Sequence, residues 1–170
     1  MVILHKDILK AQEIDRILNK FSSDVSVRGE YPSYSHNWFH ENNIELEITQ
    51  EDAEILKEGT VDFYAFSYYM SNCATFRSDV EVVHGNLMGG VKNEYLETTD
   101  WGWQLDPQGL TYTLNDLWDR YEIPLMIVEN GLGAPDEVID GKINDQYRIE
   151  YLKNHIEAMQ KALSYGVNLI

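Results

Sequence analysis

Apolar residues recur at intervals of three and four in several segments, which predicts amphipathic helices. The longest pattern covers 145–166 and ends at Gly166; the residues that share its apolar face are Ile149, Leu152, Ile156, Met159 and Leu163. Similar spacing predicts helices at 7–20 and 113–122 and a shorter one at 33–43. At 48–60, Thr49 followed three residues later by Asp52 is close to a capping box, and Gly59 ends that predicted helix.

Two apolar and aromatic runs are typical of strands, VDFYAFSYYM (61–70) and PLMIVE (124–129), and VNLI (167–170) is the start of a third. The stretch 71–110 has scattered glycines and no clear period, so it is predicted as a loop. Helices alternate with strands, which favours parallel strands joined by right-handed crossovers. Three strands are few for such a sheet, so we expect an α/β piece of a larger protein.

Composition removes several classes of function. The net charge of −16 disfavours a face that binds nucleic acid or an anionic membrane, because both partners recruit basic patches. Cys73 is the only cysteine, so no intrachain disulfide is possible, which fits a reducing compartment. The N-terminus, MVILHKDILK, is not typical of a signal peptide, and no apolar run approaches the roughly 20 residues that span a membrane.

The predicted strand 124–129 looks fully buried, yet it ends at a carboxylate, Glu129, followed by Asn130 and Gly131. The tips of parallel strands hold catalytic side chains in α/β enzymes. A polar strand end before an Asn-Gly turn is the simpler alternative. Tyr68 and Tyr69, at the end of the first strand, are either donors to that carboxylate or amphipathic rim residues.

Four segments taken together are far more specific than any one of them. They are DFYAFSYYMSN (62–72), DWGWQLDPQGL (100–110), PLMIVENGLGAPDE (124–137) and DGKINDQYRIEYLKNHI (140–156). Their order and spacing resemble glycoside hydrolase family 1, the retaining β-glycosidases with a (β/α)8 barrel. The 6-phospho-β-glucosidase branch is the most similar, on the segment VRGEYPSY (27–34), on Ser67 before the tyrosine pair and on Gln104 after Trp103.

The resemblance implies a role for each matching residue. Glu129 would be the nucleophile, which attacks the anomeric carbon and forms a glycosyl-enzyme ester that water then hydrolyses with retention. Tyr69 would hydrogen-bond the nucleophile. Ser67, Tyr68 and Asn130 would lie at the substrate site, with Asn130 also shaping the turn. Trp101 and Trp103, which by themselves would suit stacking on a sugar ring, are interpreted as mainly structural.

Three motifs of the family are absent: Thr-Phe-Asn-Glu-Pro with the acid/base, the Gln-x-Pro-x-Gly sugar segment, and Gly-Tyr-x-x-Trp-Gly before the phosphate-binding loop. We therefore expect residues 1–170 to be a single fragment of the barrel, about strands six, seven and the start of eight. The chain alone should be inactive or nearly so. The other loop carboxylates, Asp100, Asp106, Asp136 and Glu137, are not expected to replace the missing acid.

No metal and no cofactor are predicted. His36 and His40 have the spacing of a metal pair on a helix, but a polar helix face is favoured, and GNLMGG (85–90) fits no nucleotide signature. The expected partner is a sugar phosphate, in the cytoplasm. We also expect a homo-oligomer that covers the open barrel edges, with the barrel-facing residues Phe63, Ala65, Ser67, Ile127 and Ile170. The alternatives are a non-catalytic truncated gene product and a piece of an unphosphorylated β-glucosidase or β-galactosidase.

Overall fold

The computed structural model describes residues 5–84 and 89–170, so the N-terminal tip and most of the glycine-rich segment at 85–90 lie outside the described residues. Contacts divide the chain into two compact units, Met1–Asp62 and Phe63–Ile170, which are described separately. The expectation that 1–170 forms a single piece stays a prediction.

The first unit is helical. Helix α1 (His5–Asp15) continues through a π-helical turn (Arg16–Lys20) into α2 (Phe21–Arg28), so the helix predicted at 7–20 extends further than expected. Gly29 ends it in the left-handed conformation (φ 69°), and a Cβ there would lie 2.6 Å from the Cα of Lys57. A non-glycine residue at this position would therefore be both strained and obstructed.

The two remaining helices of this unit confirm the sequence predictions. They are α3 (Ser33–Glu41) and α4 (Gln50–Glu58). Thr49 and Asp52 form the expected capping box at the start of α4, and the N–H of Gly59 donates to the carbonyl of Ile55 at its end. An aromatic cluster with ring centroids 5.7–6.0 Å apart joins α2, α3 and the segment between them; its members are Phe21, Tyr31, Trp38 and Phe39.

The second unit contains the parallel strands. Strand β1 (Tyr64–Tyr68) is followed by β2 (Val82–His84), β3 (Gly89–Val91), helix α5 (Pro107–Tyr121) and β4 (Leu125–Asn130). The chain continues through β5 (Val138–Ile139), β6 (Lys142–Ile143) and α6 (Gln146–Ser164). β1 pairs with β4 in parallel, and a parallel bridge between Leu125 and Leu169 begins the third strand, as predicted.

The core of this unit lies between the two strands and helices α5 and α6. Its most buried apolar side chains are Leu110, Leu114, Leu125 and Ala162, each with no exposed surface. Tyr64 of β1 stacks on Tyr121 of α5, with ring centroids 5.6 Å apart. Both helices therefore shield the side of β1 and β4 that carries Tyr64 and Leu125.

The predicted loop 71–110 is wrong at two places. It contains the antiparallel pair β2–β3, and α5 begins at Pro107 rather than at 113. Asp106 caps α5, since its Oδ1 accepts a hydrogen bond from the N–H of Gly109 at 2.9 Å, and Pro107 occupies the first turn, where its missing N–H costs nothing. A second hairpin, β5–β6, turns at Asp140 and Gly141, which both have positive φ.

The prediction that the strand before Glu129 is fully buried is also wrong. Leu125 is buried, but Val128 is 54% exposed and Glu129 is exposed. Helices α5 and α6 cover one side of β1 and β4, and Phe63, Ala65 and Ser67 are exposed on the other, open side. Ile127 was predicted to lie on the open side. That prediction is wrong, because the strand register pairs Ile127 with Phe66, which lies on the helix side with Tyr64. Ile170, past the bridge at Leu169, is 59% exposed.

Candidate active site

A bulge in the β1–β4 pair determines where Glu129 points. The register runs from Tyr64 opposite Leu125 to Phe66 opposite Ile127, and then shifts so that Ser67 lies opposite Glu129. Because side chains alternate along a strand, an unbroken register would turn Glu129 to the same side as Leu125 and Ile127. The extra residue, Val128, reverses that parity and brings Glu129 to the open side with Ser67.

Two hydroxyl groups bind the Glu129 carboxylate. Tyr69 donates to Oε2 at 2.5 Å and Ser67 donates to the same oxygen at 3.0 Å. These hydrogen bonds, that of Tyr69 first and that of Ser67 second, lower the pKa of Glu129 below its ordinary value, because they stabilise the charged form. The same bond raises the pKa of Tyr69, which keeps its hydroxyl protonated and able to donate.

The ring of Tyr69 is supported from the side by Trp103. The two rings meet edge to face with centroids 5.6 Å apart. Trp103 in turn lies directly on Gly133, where a Cβ would come within 2.4 Å of the indole ring. Thr99 joins the two segments, since its hydroxyl donates to the Gly133 carbonyl at 2.8 Å. Trp103 is therefore a supporting residue, as interpreted, whereas Trp101 is 58% exposed.

Tyr68 points to the opposite side of the strand from Glu129. It is 7% exposed, and its hydroxyl donates to the backbone carbonyl of Asp106 at 2.8 Å. Burial raises the pKa of its hydroxyl far above the ordinary value, so the group stays neutral. This position argues against the substrate contact predicted for Tyr68, which instead anchors the end of β1 to the start of α5.

The side chain of Asn130 also lies on the buried side. Its amide donates to the Tyr68 carbonyl at 2.7 Å and to the Tyr151 hydroxyl at 3.2 Å. Tyr151, from α6, donates its own hydroxyl to the Tyr69 carbonyl at 2.7 Å. Both amide hydrogens of Asn130 are thus engaged within the fold. This arrangement argues against the predicted contact of Asn130 with substrate and supports its role in shaping the strand end.

His155 lies one helical turn after Tyr151 and is 1% exposed. Its ring stacks on that of Tyr151 with centroids 3.9 Å apart, and its Nδ1 is 2.8 Å from the Tyr151 carbonyl. Burial lowers the pKa of His155 below its ordinary value, so the ring is neutral at physiological pH. With Nδ1–H donating to that carbonyl, the buried Nε2 is left as an acceptor without a partner among the described residues.

Other carboxylates near the site are engaged elsewhere. Asp136 accepts hydrogen bonds from Arg148 and, at 3.0 Å, from Tyr147, and these bonds lower its pKa, so it stays ionised and is unsuited to donate a proton. Arg148 also donates to the Ala134 carbonyl at 3.0 Å, which ties the loop after Glu129 to α6. The carboxylate of Asp106 caps α5 and accepts from the Ser71 hydroxyl at 2.5 Å.

Two supporting residues escaped the sequence reasoning. Tyr151 does not lie on the predicted apolar face of α6, which is exposed at Ile149 and Ile156, but on the face that is buried with His155 and Ala162, so the apolar spacing gave no signal for it. Gln104, 1% exposed, accepts from the Asn93 N–H at 2.6 Å and donates to the Ser71 carbonyl at 2.8 Å. Gln104 was used only as a marker of the family branch, although it joins two segments of the long connection.

His36 and His40 are exposed on α3, and no group of three or more metal-ligating side chains lies together within residues 5–84 and 89–170. Over the same residues, no helix has both the length and the apolar content to cross a membrane.

The Glu129 carboxylate thus lies at the tip of a parallel strand and accepts hydrogen bonds from Ser67 of the neighbouring strand and from Tyr69 just after that strand. The chain belongs to glycosyl hydrolase family 1, whose family model matches residues 4–170. The fold is accordingly an open α/β part of the barrel seen in family 1 β-glucosidases, which confirms the predicted fold class.

Among curated relatives, the chain is 52% identical over 167 residues to the aryl-phospho-β-D-glucosidase BglH of Bacillus subtilis, covering 97% of this chain and 35% of that protein. It is 46% identical to the 6-phospho-β-glucosidase AscB of Escherichia coli, covering 97% of this chain and 35% of that protein. Among solved structures, the family 1 β-glucosidase of Thermotoga maritima superposes with a TM-score of 0.79 at 26% identity, covering 99% of this chain and 36% of that one. The chain thus spans about a third of the length of the relatives it matches.

Proposed function

We propose that Glu129 is the nucleophile of a retaining glycosidase that hydrolyses 6-phospho-β-D-glucosides, such as phosphorylated cellobiose or aryl β-glucosides. The observation that carries the proposal is the pair of hydroxyl donors, Tyr69 and Ser67, on a single oxygen of an exposed strand-end carboxylate. They keep the group ionised and leave Oε1 without a hydrogen-bond donor among the described residues, so this oxygen can attack an anomeric carbon.

In the proposed reaction, the carboxylate displaces the aglycone oxygen and forms a glycosyl ester, which water then cleaves with net retention. The leaving oxygen needs a proton from a second carboxyl group at about 5–5.5 Å. The family's Thr-Phe-Asn-Glu-Pro motif, which would carry this acid, is absent from the chain, and the carboxylates of Asp106 and Asp136 are engaged elsewhere. We therefore propose that the 170-residue chain alone is inactive or nearly so, since a general acid contributes about 10²–10⁴ in rate.

The phosphorylated substrate class is supported by the names of the relatives. Two proteins named for phospho-β-glucosides are 52% and 46% identical to this chain. Ser67 and Gln104 are typical of the same branch. Hydrolysis of an unphosphorylated β-glucoside or β-galactoside remains the second candidate, and a non-catalytic truncated gene product is the third.

Turnover of a chromogenic β-glucoside 6-phosphate is the first test, on the chain alone and on a chimera in which the chain replaces the matching 35% of BglH. We expect no turnover from the chain alone and turnover from the chimera. Glu129→Gln in the chimera should abolish the activity. A chimera that stays active after Glu129→Gln would contradict the assignment of the nucleophile.

Azide rescue would identify the nucleophile directly. A Glu129→Ala chimera leaves room for azide beside the anomeric carbon, so an activated aryl glucoside 6-phosphate should give the α-glycosyl azide, the product of a single inversion. Asp136→Ala is the matched control, because it also removes a loop carboxylate close in sequence. Rescue that appears for Asp136→Ala and not for Glu129→Ala would contradict the assignment.

We also propose that the chain associates with itself and acts in the cytoplasm, where a sugar phosphorylated during uptake would be found. Support for association comes from large apolar side chains exposed on one face of α6; these are Ile149, Leu152, Ile156 and Leu163. Apolar patches of this kind are typical of protein contacts. Light scattering that reports a monomer across a range of concentrations would count against the homo-oligomer.

A further inference from the structure

Tyr151 connects α6 to the end of β1 at the residue that binds Glu129. It is 4% exposed, and its hydroxyl donates to the Tyr69 carbonyl at 2.7 Å while accepting from Asn130 at 3.2 Å. Asn130 also donates to the Tyr68 carbonyl at 2.7 Å. Among the described residues, the hydrogen bonds of Tyr151 do not include Ser67 or Glu129, and its link to the carboxylate runs through the backbone of Tyr69.

We propose that Tyr151 is a positioning residue of the Glu129 site: with Asn130, it fixes the two peptide groups on either side of the Tyr69 Cα and so sets the direction from which the Tyr69 hydroxyl reaches Glu129. The assignment rests on the proposed function for its importance to catalysis. Its geometry, however, can be tested on the carboxylate itself, without turnover.

The physical reason lies in the planarity of the peptide bond. The Tyr68 carbonyl belongs to the peptide plane before the Tyr69 Cα, and the Tyr69 carbonyl belongs to the plane after it. With one carbonyl held by Asn130 and the other by Tyr151, both backbone dihedrals of Tyr69 are restricted. The direction of its Cα–Cβ bond follows from these dihedrals, and Trp103 then restricts the ring.

The side chain of Tyr151 is itself held in place by packing within α6. Its ring stacks on His155, one turn later on α6, and both residues are almost completely buried. Burial raises the pKa of Tyr151 to about 12, so its hydroxyl remains a donor over the whole working pH range. The side chain of Tyr151 thereby links the position of α6 to the backbone of Tyr69 at the end of β1.

The test is the titration of Glu129 in the full 170-residue chain, followed by NMR of ¹³C-labelled glutamate carboxyls. Glu129→Gln assigns the signal. Tyr69→Phe should raise the Glu129 pKa because it removes the strongest donor. Tyr151→Phe, which keeps the buried ring and removes only the hydroxyl, should raise it in the same direction by a smaller amount, since Tyr69 can then move away from its short contact.

Thr111→Val is the matched structural control. The Thr111 hydroxyl donates to the Ala158 carbonyl at 3.0 Å, so the variant also removes a side-chain bond to α6, but away from the strand end. It should lower the melting temperature as Tyr151→Phe does and leave the Glu129 pKa unchanged. Replacing Tyr151 by 4-aminophenylalanine, which retains a donor at the same place, should restore the wild-type value.

An unchanged Glu129 pKa in a folded Tyr151→Phe chain would overturn the proposal. If that variant shows no cooperative unfolding, Asn130→Ala decides in its place, because it releases the Tyr68 carbonyl and the Tyr151 hydroxyl together. A chimera without turnover, combined with the expected pKa changes, would refute the proposed function and leave the positioning role intact. Turnover by the chimera, combined with an unchanged Glu129 pKa in Tyr151→Phe, would refute the positioning role of Tyr151 and leave the proposed function intact.

Discussion

The two sides of the β1–β4 pair differ sharply, although they are built from neighbouring residues. On the open side, Ser67 and Tyr69 donate to an exposed carboxylate, whose pKa they lower. On the helix side, Tyr68 and Asn130 are tied to α5 and α6 by neutral hydrogen bonds. Adjacent residues in the sequence thus serve two different purposes, ionisation on one side and anchoring on the other.

A single extra residue separates these two environments. Without the bulge at Val128, alternation would turn Glu129 towards the buried side. Burying a neutral polar group without a hydrogen bond costs about 2–7 kcal/mol, and burying an unpaired carboxylate costs more. With the bulge, Asn130 takes the buried position, and its amide satisfies a carbonyl and a phenol there. The bulge therefore explains why a charged residue and an amide can follow each other at this strand end.

The largest expected effect comes from the helix side. Leu114 has no exposed surface, so Leu114→Ala should lower the free energy of unfolding by about 2–5 kcal/mol, measured by urea denaturation. Leu163→Ala, on the exposed face of α6, is the control and should change it by much less. A Glu129 pKa that moves with Leu114→Ala in the folded protein would show that the helix side affects the carboxylate by a route other than Tyr151.

Tyr68 and Tyr69 allow the two sides to be compared by the same substitution, with opposite expected effects on stability and on the Glu129 pKa. Tyr68→Phe leaves the Asp106 carbonyl without its donor in a buried place and should cost about 1–3 kcal/mol of stability, with the Glu129 pKa unchanged. Tyr69→Phe should do the opposite, raising the Glu129 pKa with little loss of stability, because its hydroxyl serves the exposed carboxylate. Urea denaturation of both variants measures the change in stability, and carboxyl titration measures the change in the Glu129 pKa.

The parallel strands and most helices were predictable because periodicity and end signals are local. The α4 capping box and the long α6 pattern needed nothing beyond neighbouring residues. The start of α5 was missed at Asp106 and Pro107, although Asp-Pro is itself a local start signal. The bulge at Val128 could not be read from the chain, because it is a property of two paired strands.

The candidate site divides in the same way. Glu129 and Tyr69 were identified through the family resemblance, and the hydrogen bond between them is present. The sides taken by Tyr68 and Asn130 depend on the register, so the resemblance alone placed them with substrate. Tyr151 lies 82 residues from Tyr69 in sequence, and such a contact is visible only once α6 has packed against the strand end.

The buried histidine predicts a pH dependence confined to the helix side. Burial holds the His155 pKa below its ordinary value of 6.5, so the unfolded chain binds a proton that the folded chain does not. Stability is therefore retained above about pH 6.5 and falls as the pH decreases through that value. Urea unfolding of wild type and His155→Gln should show a flatter pH profile for the variant, whereas exposed His36→Gln should keep the wild-type profile.

The smallest expected effect is that of Ser67→Ala. The serine is the weaker of the two donors to Glu129, at 3.0 Å against 2.5 Å for Tyr69, and both bonds are exposed to solvent, which screens them. The Glu129 pKa should rise by less than in Tyr69→Phe, with no change in the unfolding free energy beyond a few tenths of a kcal/mol. Ser71→Ala, which removes a serine bonded to Asp106 on the helix side, is the matched control and should leave that pKa unchanged while lowering stability. An equal rise for Ser67→Ala and Tyr69→Phe would mean that the two hydroxyls act as one unit, and the ranking of donors on the open side would have to be abandoned.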